Sequence, residues 1–220
     1  MTRPSILDIL PTDQRLALAY APRRARPATL ALMGLDARLA ALVRSSREPI
    51  LGQLRCAWWR DMLARPAAER PIGDPLLEAL AAWEGGEADL GGLIDGWEGM
   101  LGEAPLESAV FEALAEARAA SWARLASLLG ADNQRGECER AARNWAFADI
   151  AAHLADPAER ARVLELTLCQ DWRRPALGRT MRPLGVLHGL ARRATRRGGS
   201  ALLDGPGDLL AALRLGMLGR

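Results

Sequence analysis

The chain has 220 residues, half of them hydrophobic and 25% charged, which suits one globular domain over residues 1–220 with a sizeable core and excludes a disordered chain. All 29 basic residues are arginine, and the absence of lysine excludes Walker-type nucleotide binding, kinase chemistry and Schiff-base catalysis, each of which needs a lysine amine. Isoleucine and valine number only ten together against long runs of alanine and leucine, so the composition predicts an all-α protein.

The predicted helices follow one another with short breaks. Leu32, Leu35, Leu39 and Leu42 form a first apolar stripe at helical spacing. Pro49 then fits a first helical position, where its missing N–H is no loss. From it Leu51, Leu54, Trp58 and Met62 recur as one expected buried face. Arg55 and Trp59 stand four apart on its flank, close enough for a guanidinium to lie over the indole, and Asp61 can pair with Arg65 in the same way. Two adjacent tryptophans followed by Arg60 and Asp61 cannot all be core, so at least one indole should face a neighbouring helix, a ligand or a partner.

Asp74 caps a helix begun by Pro75 and carried by Leu76, Leu80 and Trp83. Leu90, Leu93, Trp97 and Leu101 make the next stripe. The longest helix should run from about Leu106 to Leu129, with Val110, Leu114, Ala117, Ser121, Leu125 and Leu128 on one side and Gly130 as its stop. Helices near 137–155 and 158–170 meet at Asp156 and Pro157, and Arg173 to Gly178 reads as a linker. Pro183 opens a helix ending at Gly198, and Leu209, Leu210 and Leu213 belong to a short amphipathic helix.

Charge is segregated along the chain. Residues 1–70 carry twelve arginines against six acids, residues 71–117 no arginine and eleven acids, and residues 118–220 seventeen arginines against ten acids. A basic surface could meet anionic lipid, a diphosphate or an acidic partner, and the acidic middle another partner; solvated faces clustered by sign explain the pattern equally. Nucleic acid is disfavoured, because Trp172 alone offers a stacking platform near the basic run from Arg173 to Arg197. Cys56, Cys138 and Cys169 are odd in number and widely spaced, so they are expected to be buried thiols in a reducing compartment. No apolar run approaches a membrane span, and cytoplasmic is the default location.

The stretch from Arg47 to Leu63, with its Pro-led helix and Trp-Arg-acidic-x-Leu ending, resembles the squalene/phytoene synthase family, especially a short bacterial branch with paired tryptophans. Weaker similarity extends over Leu16 to Val43 and over Arg182 to Arg193. The resemblance implies an isoprenoid-synthase-type helical bundle. It also implies two D-x-x-x-D motifs on facing helices that hold Mg²⁺ against a prenyl diphosphate, because hard cations want several carboxylate oxygens on one face. The first motif should lie at Asp36 to Ala40, where only the first aspartate is present. The second should lie between Asn144 and Glu159, where alanines occupy several polar positions and Asp149, Asp156 and Glu159 do not restore the pattern. The one literal D-x-x-x-D, Asp204 to Asp208, encloses Gly-Pro-Gly and reads as a turn leading into a helix.

The expectation is therefore a catalytically degenerate family member without bound metal, acting as a binding or assembly factor for a membrane-protein partner, peripheral at the inner membrane. The same superfamily includes assembly factors of respiratory complex I. The rival is a Mg²⁺-dependent prenyl transferase that condenses two isoprenoid diphosphates; a third possibility is a carrier for an isoprenoid lipid. Arg55, Trp58, Trp59 and Asp61 would line a prenyl pocket or docking surface, or else form a packed cluster that fixes a helix pair. Arg182, Arg192 and Arg193 would bind diphosphate or an anionic membrane. Asp36 is expected at the surface. Asp149, His153 and Asp156 are expected to pair on one helix surface rather than hold a transition metal, and His188 to be a satisfied interior histidine.

Overall fold

The computed structural model describes residues 5–83, 85–199 and 201–219, and among these it contains eleven α-helices and no strand. They are α1 (Ile6–Ile9), α2 (Thr12–Ala19), α3 (Arg26–Ser45), α4 (Pro49–Ala64), α5 (Pro75–Leu80), α6 (Gly91–Gly99), α7 (Ser108–Leu128), α8 (Arg135–His153), α9 (Pro157–Leu168), α10 (Arg182–Arg196) and α11 (Pro206–Leu218). The fold is all-α, as the composition predicts.

The start signals work as their chemistry requires. Asp74 accepts from the Leu76 N–H at 2.8 Å, and Asp156 accepts from Ala158 and Glu159 at 2.9 and 2.8 Å, so both occupy otherwise orphaned donors at helix starts. Asp156 is therefore the cap of α9 and not a member of an α8 face with Asp149 and His153.

The longest helix, α7, lies against α6 and α8. Its pairing with α8 is antiparallel, since Trp122 meets Trp145 edge-on at 6.4 Å while Arg118 meets Asp149. On the other side of α8 sits α10, which also packs on α2 and α11. Leu32, Leu35, Leu39 and Leu42 are buried as expected, as are Leu90, Leu93, Trp97 and Leu101. The buried row of α7 differs from the one read from sequence: Phe111, Leu114, Arg118, Trp122 and Leu125 face inward, and an arginine stands in the middle of it.

Of the expected buried face of α4 only Met62 lies inside, and α11 turns the leucines of its stripe outward. In α4 the buried residues are Gly52, Cys56, Trp59, Met62 and Leu63, while Ile50, Leu51, Leu54 and Trp58 are exposed. In α11 the buried residues are Asp208, Ala212 and Gly216, and Leu209, Leu210 and Leu213 face outward. The reason is close approach: a Cβ on Gly52 would lie 2.7 Å from the Leu101 side chain, so this face of α4 admits only small residues at that point. Cys56 and Cys138 are buried, but Cys169 ends α9 and is exposed.

Candidate functional site

Arg118 is the centre of a buried polar network drawn from four helices. It is 3% exposed. Its Nε donates to Asp36 Oδ1 at 3.0 Å, its Nη1 donates to Asp149 Oδ2 at 2.8 Å, and Nη2 lies 3.0 Å from Asp36 Oδ2. Trp97 Nε1 donates to the same Asp36 Oδ1 at 2.7 Å. The guanidinium also lies over two indoles, 4.9 Å from the ring centroids of both Trp97 and Trp145. Four helices thus converge on one side chain: α3 supplies Asp36, α6 Trp97, α7 Arg118, and α8 Asp149 with Trp145. Guanidinium is planar, permanently charged and weakly hydrated, and so suits a site that offers both aromatic faces and carboxylates. Asp36 is accordingly buried, against the expectation of a surface residue.

Electrostatics follow from this geometry. Burial alone would raise the Asp149 carboxyl, but the Arg118 charge and the His153 hydrogen bond outweigh it and hold the group at about 2. Burial would likewise lower Arg118, and the Asp36 and Asp149 charges raise it instead. His153 Nδ1 lies 3.4 Å from the Asp149 carboxylate, whose hydrogen bond and charge, helped by the Asp149 backbone carbonyl at 2.8 Å, lift the imidazole to about 9. Asp13, in the first turn of α2, is pushed up to about 6 by burial and then by the Asp149 charge.

Beside the network lies a cavity of about 190 Å³, lined by Gln14, Ala37, Ala40, Trp97, Leu114 and Ile150 among others. This is below the roughly 300–1,000 Å³ of ordinary small-molecule pockets. The residues present do not fit the Mg²⁺ that the family resemblance implies. That ion wants several carboxylate oxygens with little competing positive charge, whereas Asp36 and Asp149 face each other across a guanidinium that already occupies the charge position between them.

Of the residues singled out on the tryptophan helix, Arg55, Trp58 and Trp59 line one groove and Asp61 is not among its lining residues. Trp59 is buried, Trp58 is 41% exposed, and the two rings meet edge-on at 5.1 Å. Arg55 is exposed and lines an open groove of about 410 Å³ with Trp58, Trp59 and Arg38, but the guanidinium stacked on indoles is that of Arg118. Asp61 and Arg65 are both exposed and form no ion pair among the described residues. The polar anchor of α4 is instead Arg60, paired with Asp95 at 2.5 Å and with Glu98 of α6.

Arg182, Arg192 and Arg193 come together in a cleft of about 560 Å³ between α10 and α11, joined there by Arg174, Arg196 and Arg214. His188 sits at its floor, buried and tilted against Trp172 at 5.4 Å. It is interior as expected but not satisfied, since its Nε2 has no hydrogen-bond partner among the described residues. Burial, then the Arg140 and Arg192 charges, depress it to about 4.

Arg118 escaped the sequence reading, yet a signal existed: it is the first arginine after 47 residues without one, four residues from Leu114 and from Trp122 in a buried stripe. Among the described residues no helix is long and apolar enough to cross a membrane. Comparison of the chain with protein-family models, with curated proteins and with solved structures finds no match in any of the three.

Proposed function

We propose that this protein is a catalytically degenerate relative of the squalene/phytoene synthases that serves as a binding or assembly factor at a membrane surface. One observation carries the reading: Asp36 and Asp149, the aspartates nearest the two expected metal motifs, do face each other from α3 and α8, but Arg118 bridges them. An internal cation satisfies the two carboxyls without dissociating, which removes the electrostatic reason to recruit a metal. Ala40 stands where the first motif would have its second aspartate, and between Asn144 and Glu159 no D-x-x-x-D spacing occurs. What remains is a rigid helical scaffold with apolar and cationic surfaces.

The test is to incubate the purified protein with farnesyl and geranylgeranyl diphosphate, with and without Mg²⁺, and to measure pyrophosphate release and lipid products. No metal-dependent release from a folded sample is expected. Metal-dependent release with a condensed product, lost in Asp36→Ala, would overturn the proposal in favour of a prenyl transferase.

A further inference from the structure

The helix α11 is built inside out. Its inward residues are small or anchoring: Ala212 and Gly216 are buried, and Asp208 is buried in its first turn. Its large apolar residues Leu209, Leu210, Leu213, Met217 and Leu218 are all exposed, Met217 by 69%. Loose docking does not explain this. Asp208 Oδ1 accepts from Arg193 at 2.9 Å and from Arg197 at 2.7 Å, while its Oδ2 accepts from the Asp204 N–H at 3.0 Å. Those bonds hold the carboxyl at about 2 against its burial. The Tyr20 ring occupies the space of a Cβ at Gly216, and the Leu215 side chain fills that of a Cβ at Gly189. A helix seated this closely cannot roll its leucines inward.

Beside the apolar row runs the cationic cleft. Its lining contains six arginines and no aspartate or glutamate. Arg182, Arg192 and Arg196 lie on one face of α10, with Gly185 and Gly189 leaving the floor between them low. None of these three has a carboxylate partner among the described residues. An apolar row next to a row of arginines is the arrangement of a helix that lies in a membrane interface, with its leucines at the acyl boundary and its cations at the phosphates. A soluble polyanion would use the arginines and gain nothing from Leu209, Leu213 and Met217. A second copy of the chain would cover the leucines but bring the same positive charge against the cleft.

We infer that α11 and the α10–α11 cleft form a docking surface for an anionic phospholipid bilayer, Leu209, Leu213 and Met217 entering the interface while Arg182, Arg192 and Arg196 bind lipid phosphate. This rests on the membrane half of the reading above and names its surface; it does not depend on whether the core is catalytic.

The experiment is flotation of the full chain with vesicles of phosphatidylcholine alone and of phosphatidylcholine with about one-third phosphatidylglycerol, at low and high salt. Binding is expected only to the anionic vesicles and to weaken with salt. Arg182→Gln/Arg192→Gln/Arg196→Gln should lower partitioning on the order of 100-fold, and Leu209→Ser/Leu213→Ser/Met217→Ser at least about 10-fold, with unchanged circular dichroism. Because Arg182 begins α10, the pair Arg192→Gln/Arg196→Gln serves as a milder variant, with an expected loss of roughly 10-fold or more. Absence of binding, equal binding to neutral vesicles, or loss through the arginine set alone with the serine set unaffected would each overturn the inference; the last would mark a site for soluble polyanions such as RNA. A dimer that the serine set dissociates, without vesicle binding, would overturn it in favour of a second copy. Pyrophosphate release is read on the same samples, so that Mg²⁺-dependent turnover counts against the non-catalytic reading alone and failure to float counts against this surface alone.

Discussion

Arg118 shows how a buried charge is tolerated when it is paired with two carboxylates and packed on two indoles. Removing it leaves two buried carboxyls uncompensated, so Arg118→Ala is expected to cost about 3–5 kcal/mol in urea unfolding. Combining Arg118→Met with Asp36→Asn and Asp149→Asn should recover most of that loss, because the desolvation penalty disappears with the charges.

The Arg118 cluster and His188 of the α10–α11 cleft both shape the pH response. Asp149, held at about 2 against 3.8, contributes stability that is present above about pH 4 and lost as pH falls through 2. His153, lifted to about 9 from 6.5, contributes stability that is present below 6.5 and lost as pH rises through 9; its side chain is 55% exposed, so that contribution is screened to about 1 kcal/mol or less. Asp13 and His188 act in opposite senses. Asp13, raised to about 6, loses stability as pH climbs from 4 to 6, while His188, lowered to about 4, gains it over 4 to 6.5. Thermal melts of Asp13→Asn across that window should therefore show stability rising with pH, where the parent curve stays flatter.

At the scale of elements, α4 and α11 carry the same lesson. Both present apolar residues on more than one face, and periodicity ranks leucine above glycine when it selects the inward one. The bundle selects by distance instead: where helices approach closely, Gly52, Gly189 and Gly216 are the residues that fit. The two adjacent tryptophans should separate cleanly in consequence. Trp59→Ala is expected to cost about 3–5 kcal/mol and Trp58→Ala less than about 1, measured by chemical denaturation. Removal of the α9 cap by Asp156→Ala should cost about 1 kcal/mol in the same measurement.

Across the whole molecule, at least six of the eleven acids in the middle of the chain are used internally. Asp74, Glu87, Asp89, Asp95, Glu98 and Glu116 pair with Arg38, Arg70, Arg124, Arg60 and Arg143, all of which lie outside residues 71–117. Segregated charge thus becomes contact between distant parts of the chain, while Arg182, Arg192 and Arg196 of α10 are among the arginines that keep no carboxylate partner among the described residues. Exposed pairs of this kind contribute little each, and the buried Arg70–Glu87 pair at 3.1 Å is the exception in burial. The buried apolar residues form one continuous cluster from Leu10 to Ala212. Tryptophan fluorescence, which reports Trp59, Trp83, Trp97, Trp122 and Trp145 in that cluster, should therefore unfold with the same midpoint as far-ultraviolet circular dichroism; separate midpoints would show parts that melt independently.

The sequence by itself determined the helices: composition without β-branched runs, prolines at first turns, aspartate caps and glycine stops act within a few residues of where they stand, and those local effects need no knowledge of neighbours. It also showed the arginine run near the C-terminus as a unit, but it read Asp36 and Asp149 as surface residues. Only the tertiary structure decided which faces are buried, that Arg118 and not Arg55 lies among the indoles, and that Asp36 sits in the core. Each of these depends on what another helix brings to within a few ångströms, and a side chain's burial and charge partner are properties of that meeting rather than of its own stretch of chain.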